Sequence, residues 1–409
     1  MKDKALKLFS DYKYSLMIFA ALTIQAIINL TPMKGVGEYL YVYYLVDFSM
    51  GKTSRLLVGT IVNWLTDSPD IDWINRFVII FVFITIILAS ILAGRIISGV
   101  KQELKPHALV FALFLVSGPF AFANFTKFMG FLDIFMFLVA LIAIVFLCNR
   151  YLQWLVPILC VAGVFIHQGF VLSFFPLVIL ASFYLTFTQE RKGERKAVFV
   201  LTAGFTAASL LYCVLYGTDT VTIPFEKMCE IAQERASYDL SDTALFNLGF
   251  YFYNHVPSAL ELSTDQYADL SLWETFLELF KFTNITYLNN FRGLISIMSL
   301  AFFVFALFWI IWIRCIKNTE NKGKRFVYAC FMLSTLIVPL YSLIAVDYIR
   351  WIQGGVLTQF GLIFFMFFMK DEPFEKAVAQ IGDFLKNKKL FLVLIYLVYA
   401  LSVQRDISG

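Results

Sequence analysis

The chain has 409 residues, 60% of them hydrophobic, 18% aromatic and only 15% charged, where a soluble domain carries about 25% charged residues. Apolar stretches close to the ~20 residues needed to cross a ~30 Å hydrocarbon core recur along its whole length, which excludes a secreted soluble enzyme, a disordered chain and a disulfide scaffold. The net charge of +4 carries no nucleic-acid signal, because the basic residues sort by side of the membrane.

Taken in chain order, the apolar windows predict transmembrane helices over 15–32, 77–99, 107–123, 128–148, 152–166, 170–188, 197–216, 293–314, 326–346, 352–369 and 389–404. The expectation is an all-α polytopic membrane protein of about eleven spans, one integral membrane domain over 1–409. Segments 1–14, 95–106, 149–151, 189–196, 314–325 and 370–389 hold 22 of the 33 basic residues and 10 of the 29 acidic ones. These segments are therefore expected on the cytoplasmic side, with the N-terminus inside and the C-terminus outside.

Two long connections fall on the outer side, 33–76 and 217–292. Within the first, the apolar residues of 54–65 fit one face of a helix too short to span. It reads as a helix in the outer interface, with Ser54 as its N-cap. The second mixes short polar helices (225–238 and 270–281) with the aromatic stretch 250–253, and is expected to dip into the membrane or cover a cavity.

The six cysteines show no CxxC pair and read as small apolar filler. The three histidines are scattered, so no metal site follows from spacing. There is no Walker A or dinucleotide-binding glycine pattern, and the cytoplasmic segments are too short for a nucleotide-binding domain. No cofactor is implied.

Polar groups at membrane depth need a cavity or a partner, and those of this chain gather at the expected outer ends of the spans. Tyr41, Tyr43 and Tyr44 lead into Asp47, followed by Lys52 and Arg55. They form either an aromatic belt with a surface ion pair or a carboxylate and a guanidinium at a cavity mouth. Asn124 and Lys127 sit between spans three and four, and Asp133 in span four is expected to meet a cation inside the bundle. His167 and Gln168 occupy the turn between spans five and six. Imidazole suits proton transfer near neutral pH, and Gly163 and Gly169 leave room for backbone or ligand. Asp347 and Arg350, three apart, share a helix face and can pair. Beside them Trp351 can stack on a sugar, and the Arg350 fork can grip a phosphate.

The first outer loop with its acidic residue and interfacial helix resembles the GT-C class of polyprenyl-phosphate-dependent glycosyltransferases. The eleven spans, the late outer loop, the turn VFIHQGFVLSFFP (164–176) and the late VDYIRW (346–351) resemble bacterial O-antigen and exopolysaccharide polymerases of the Wzy and EpsG kind. Either resemblance implies a multi-pass protein of the bacterial cytoplasmic membrane. It would move a sugar or repeat unit from a polyprenyl-(pyro)phosphate carrier onto an acceptor glycan at the outer face, in the company of a flippase and a chain-length regulator. On that basis Arg55 and Arg350 would meet the lipid phosphate, and His167 or Asp47 would be the base. Asp347 would position Arg350, and Trp351 with the Tyr41–Tyr44 set would pack sugars. Gln168, Lys127, Asn124 and Tyr44 complete the expected substrate-binding set.

Two other classes compete. A lipid-glycan flippase or transporter should thread polar residues through the full depth of several spans, yet 77–93 and 293–313 are almost clean. A membrane acyltransferase would also use a histidine, but His107 lies at the inner end of span three. A non-catalytic assembly protein is the remaining alternative.

Overall fold

A computed structural model describes residues 2–30, 35–118, 120–187, 191–217, 220–241, 244–245, 248, 291–341 and 348–400. The predicted helix at 270–281, the aromatic stretch 250–253 and Asp347 lie outside them. Among the described residues the protein is helical throughout and contains no strand. The longer helices are α1 (Lys2–Leu30), α2 (Leu56–Leu65), α3 (Ile71–Gly99), α4 (Lys105–Ser117), α5 (Asp133–Leu147), α6 (Val156–Ile166) and α7 (Phe175–Leu185). They continue with α8 (Lys192–Leu215), α9 (Phe225–Arg235), α10 (Phe291–Lys317), α11 (Lys322–Leu333), α12 (Tyr348–Met369), α13 (Glu372–Lys386) and α14 (Lys389–Ala400). Each predicted window contains a helix among the described residues, several of them shorter than the window. Among the described residues, four helical stretches are long and apolar enough to cross a membrane: Ile71–Gly99, Lys192–Leu215, Lys322–Leu340 and Ile349–Met369.

Chain chemistry accounts for the shorter helices. Gly118 precedes Pro119, which biases the chain out of the α region, so α4 stops at Ser117 rather than running to 123. The next window opens at Asp133 rather than 128. Between them lie turns and the short helix Ala123–Lys127. Pro157 and Pro176 stand in the first turns of α6 and α7, where a missing N–H removes no helical bond.

Packing centres on α12, which touches α3, α7 and α10 and whose Ile352, Val356, Leu362, Ile363 and Met366 are almost wholly buried. Its polar side chains reach carbonyls that the helix breaks leave without an intrahelical donor. Thr358 Oγ1 donates to Ser173 O at 3.0 Å, where the short helix Phe170–Ser173 ends just before α7. Gln353 Nε2 donates to Ala121 O at 3.0 Å. Gln359 Nε2 donates to Phe331 O at 3.0 Å, while its Oε1 accepts from Trp312 Nε1 at 2.7 Å. Helices α1 and α3 meet backbone to backbone: a Cβ on Gly94 would lie 2.3 Å from the Ser15 nitrogen, the small-residue contact by which helices associate in lipid.

Helix α2 rests on the 3-10 turn Val42–Tyr44, where a Cβ on Gly59 would strike Val46 O at 1.9 Å. Leu56, Val58 and Val62 are buried, whereas Trp64 and Leu65 are exposed. Ser54 is not its N-cap. Arg55 takes that position, with φ +72°, and no side chain caps the helix.

The two long connections are fastened to each other. Arg235 Nη1 donates to Asp47 Oδ2 at 2.9 Å and to Leu45 O at 2.8 Å. Ser241 N donates to Glu38 Oε1 at 2.7 Å, and Lys52 N to Thr220 Oγ1 at 2.7 Å. Tyr41 stacks on Tyr238 with ring centroids 5.6 Å apart.

At the opposite end Asp371 caps α13 by accepting from Phe374 N at 3.1 Å. The same carboxylate accepts from Tyr184 at 2.6 Å, Lys324 at 2.7 Å and the Tyr328 hydroxyl.

Candidate functional site

Helix α6 ends at Ile166, and its last carbonyls need donors from elsewhere. Phe165 O accepts from the backbone N–H of Arg55 at 2.9 Å, so the first long connection docks on the C-terminus of α6. Ser54 Oγ adds a bond to Gln168 Oε1 at 2.6 Å. With its backbone held there in the left-handed region, Arg55 directs Nη2 to within 3.2 Å of His167 Nε2. A left-handed backbone at a residue with a side chain costs about 1 kcal/mol or more, and such strain clusters at functional sites. The negative end of the α6 dipole favours the guanidinium at this position.

The His167 tautomer follows from its other nitrogen. Gly169 N donates to Nδ1 at 2.8 Å, so the neutral ring carries its hydrogen on Nε2. Nε2–H and the Arg55 guanidinium are therefore two donors facing one another. An anion's oxygen set beside the pair, at hydrogen-bond distance from each nitrogen, would accept from both.

Arg350, in the first turn of α12, is 7% exposed, and its Nε donates to Asp133 Oδ2 at 2.8 Å. Its guanidinium lies 3.8 Å from the Phe131 ring centroid and 5.6 Å from that of Trp351, positions that favour a cation over an aromatic face. Trp351 in turn packs on the His167 turn, since a Cβ on Gly169 would fall 3.1 Å from Trp351 Cη2 and 2.8 Å from His167 Nδ1. The charges of Arg55 and Arg350 both reach the imidazole. Arg55, His167, Gln168, Arg350 and Trp351 thus come together from three separate parts of the chain.

Other expected residues stand differently. The space at Gly163 is filled by the Phe170 ring, 2.7 Å from where a Cβ would sit, and that at Gly169 by His167 and Trp351. Neither is room for a ligand. Arg350 meets Asp133, while Asp347, expected as its i,i+3 partner, lies outside the described residues. Tyr44 is fully buried and its hydroxyl donates to Gly130 O at 2.8 Å, while Tyr41 bonds Pro69 O. These tyrosines pack the loop core and offer no face to a sugar. Trp351, 4% exposed, is likewise committed to packing. Lys127 Nζ lies 5.4 Å from the Phe128 ring centroid. Asn124 is 1% exposed, and neither atom of its amide has a hydrogen-bond partner among the described residues.

Asp47 is a latch. Its Oδ1 accepts from Ser49 N at 2.8 Å and Ser49 Oγ at 2.5 Å, and its Oδ2 from Asn63 at 3.0 Å and Arg235 at 2.9 Å. Burial pushes this carboxyl up, but the Ser49 donors and the Arg235 guanidinium outweigh burial and hold it below the ordinary carboxylate range. Its place near the site is set by Phe48, whose ring meets that of Phe165 edge-on at 5.9 Å.

Sequence reasoning missed Ser54 and Phe131 as site neighbours and Arg235 as the Asp47 partner. Nothing in the local pattern around Arg235 signals it. Comparison with protein-family models, with curated proteins and with solved structures finds no match.

Proposed function

We propose that this chain is a glycosyltransferase or glycan polymerase of the bacterial cytoplasmic membrane, with about eleven spans, its N-terminus in the cytoplasm and its site at the outer face. It transfers a sugar or repeat unit from a polyprenyl-(pyro)phosphate carrier to an acceptor glycan. The observation that carries this reading is the pair of facing donors, Arg55 Nη2 and His167 Nε2, 3.2 Å apart with the Arg350 charge close by. Such a cluster suits a phosphate, and preorganised donors are worth most where a leaving group gathers charge.

In the proposed reaction an acceptor hydroxyl attacks the anomeric carbon. A new C–O bond forms, the bond from that carbon to the carrier phosphate breaks, and its electron pair leaves with the phosphate. Arg55 and His167 donate to the departing phosphate oxygens, and Arg350, held by Asp133, adds a second positive charge to that of Arg55. His167 therefore acts as donor rather than base. Asp47 is also poorly disposed to take a proton, since each of its oxygens already accepts two hydrogen bonds. The hydroxyl proton passes to the departing phosphate.

The test is transfer by purified protein in vesicles, supplied with a polyprenyl-diphosphate oligosaccharide and acceptor. Arg55→Ala should lower kcat by about a hundredfold at unchanged folding. Full product length from that variant would remove the phosphate role from Arg55 and the reading with it.

A further inference from the structure

A cavity of about 410 Å³ lies between α3, α5, α7 and α12, inside the ~300–1,000 Å³ range of ligand pockets. Its wall is almost wholly apolar, with Leu141, Leu357 and Phe364 along its length, and Arg95 and Lys370 at one end. Phe137, one turn beyond Asp133 on α5, meets Phe122 edge to face at 5.7 Å. These two rings line the cavity on the side of Asp133, away from Arg95 and Lys370. From Leu357 to Lys370 the α12 backbone covers ~20 Å, over half of the ~30 Å hydrocarbon thickness.

Both cations are exposed at the mouth. The Arg95 guanidinium sits 4.3 Å from the Tyr12 ring centroid. Lys370, at φ +50°, turns the chain out of α12 toward α13. Both belong to the basic segments expected on the cytoplasmic side. Water fits this space poorly, since a buried water needs two to four polar partners. A hydrocarbon chain fits it, and paired cations at the mouth fit a phosphate headgroup.

We propose that the cavity holds one acyl chain of an anionic glycerophospholipid from the inner leaflet, with its phosphate at Arg95 and Lys370. With its phosphate at the end away from Phe122 and Phe137, this is a resident lipid and not the sugar carrier. The inference rests on the membrane orientation above and on none of the transfer chemistry.

The experiment uses the purified full-length protein, stripped of lipid in neutral detergent. Phosphatidylglycerol, phosphatidylcholine with the same chains, or undecaprenyl phosphate is then added back. Bound lipid is counted by native mass spectrometry and stability is followed by thermal unfolding. One phosphatidylglycerol per chain should be retained and raise the Tm, with phosphatidylcholine held about tenfold more weakly. Arg95→Gln with Lys370→Gln should bring phosphatidylglycerol down to the phosphatidylcholine level. Leu141→Trp, which fills the cavity, should abolish retention of both, and Val145→Phe serves the same purpose should the tryptophan impair folding. Equal retention of the two glycerophospholipids by the unmodified protein would overturn the headgroup assignment. Retention that survives both cavity-filling variants would overturn the cavity as the site. Displacement of phosphatidylglycerol by undecaprenyl phosphate would hand the cavity to an isoprenoid. All three readouts are of binding, so they stand or fall separately from glycosyl transfer.

Discussion

Arg350 and Asp133, 217 residues apart in sequence, meet through Nε and Oδ2 at 2.8 Å with both side chains nearly excluded from solvent. As a rule a buried pair of this kind is costly to break from one side, by about 3–5 kcal/mol. It joins the start of α5 to the start of α12 and holds the guanidinium against Phe131.

That relationship separates folding from chemistry. Asp133→Leu alone should sharply lower abundance in the membrane. The double variant Asp133→Leu with Arg350→Met should recover abundance, since both charges are gone, yet remain inactive. Arg350→Lys keeps the charge and removes the fork, so transfer should fall strongly at near-normal protein level. Immunoblots beside measured glycan chain length make the comparison. Full-length polymer from the double variant would reduce Arg350 to a structural anchor.

His167 can be assigned by the identity of its replacement. Glutamine places an amide N–H near the position of Nε2, whereas alanine removes the donor. A donor role predicts that His167→Gln retains transfer within about tenfold, and that His167→Ala loses about a hundredfold. A base role predicts severe loss for both. Single-turnover kinetics at saturating carrier distinguish the outcomes.

Asp47 carries a prediction in pH. Its folded-state value is depressed, so the stability it contributes is complete above the unfolded value near ~4. That stability is lost only as pH falls through the lower, folded value. Hydrogen-exchange protection of 225–235, corrected for intrinsic rates, should be equal at pH 5 and pH 7.5 and drop below about pH 3.5. Asp47→Asn should destabilise by about 1–2 kcal/mol through the Arg235 contact and leave the acid limb of the activity profile in place. Disappearance of that limb in the variant would restore Asp47 as the base.

Asp371 joins a helix cap to an ion pair, and two substitutions divide those roles. Asp371→Asn keeps an acceptor for Phe374 N, while Asp371→Ala removes it and costs about 1 kcal/mol in the cap alone. Alanine also leaves buried hydroxyls at Tyr184 and Tyr328 without this acceptor. Proteolysis within 372–386 should rise more for alanine than for asparagine.

The helices were legible because charge-free windows leave little else for the backbone to do in lipid. Their ends were legible at the α6 turn, His167 through Gly169, but not at α4, where a window drawn to 123 ran past Gly118 and Pro119 although the helix stops at Ser117. The site was half legible. Arg55, His167 and Arg350 stood out as charged or titratable groups in apolar surroundings, and Asp133 stood out as needing a cation. Which cation Asp133 meets was not legible, because the tertiary approach of α5 to α12, across 217 residues, brings Arg350 to it. Ser54 preceding an apolar run read as a cap. The docking of Arg55 N on Phe165 O, a contact across 110 residues, overrode that local preference. Tyr41 and Tyr44 looked like interfacial tyrosines, and only the packing of the turn over Gly130 and Pro69 explains their burial.

The bonds from Arg235 to Asp47, Ser241 to Glu38 and Lys52 to Thr220 cross 188, 203 and 168 residues of chain. All three join the early loop to the late one, so each loop is the other's foundation. A chimera that exchanges one loop with that of a different protein would break three fasteners at once, including the one at Asp47. Such an exchange should therefore fold only when both loops travel together, as a single transplantable cassette.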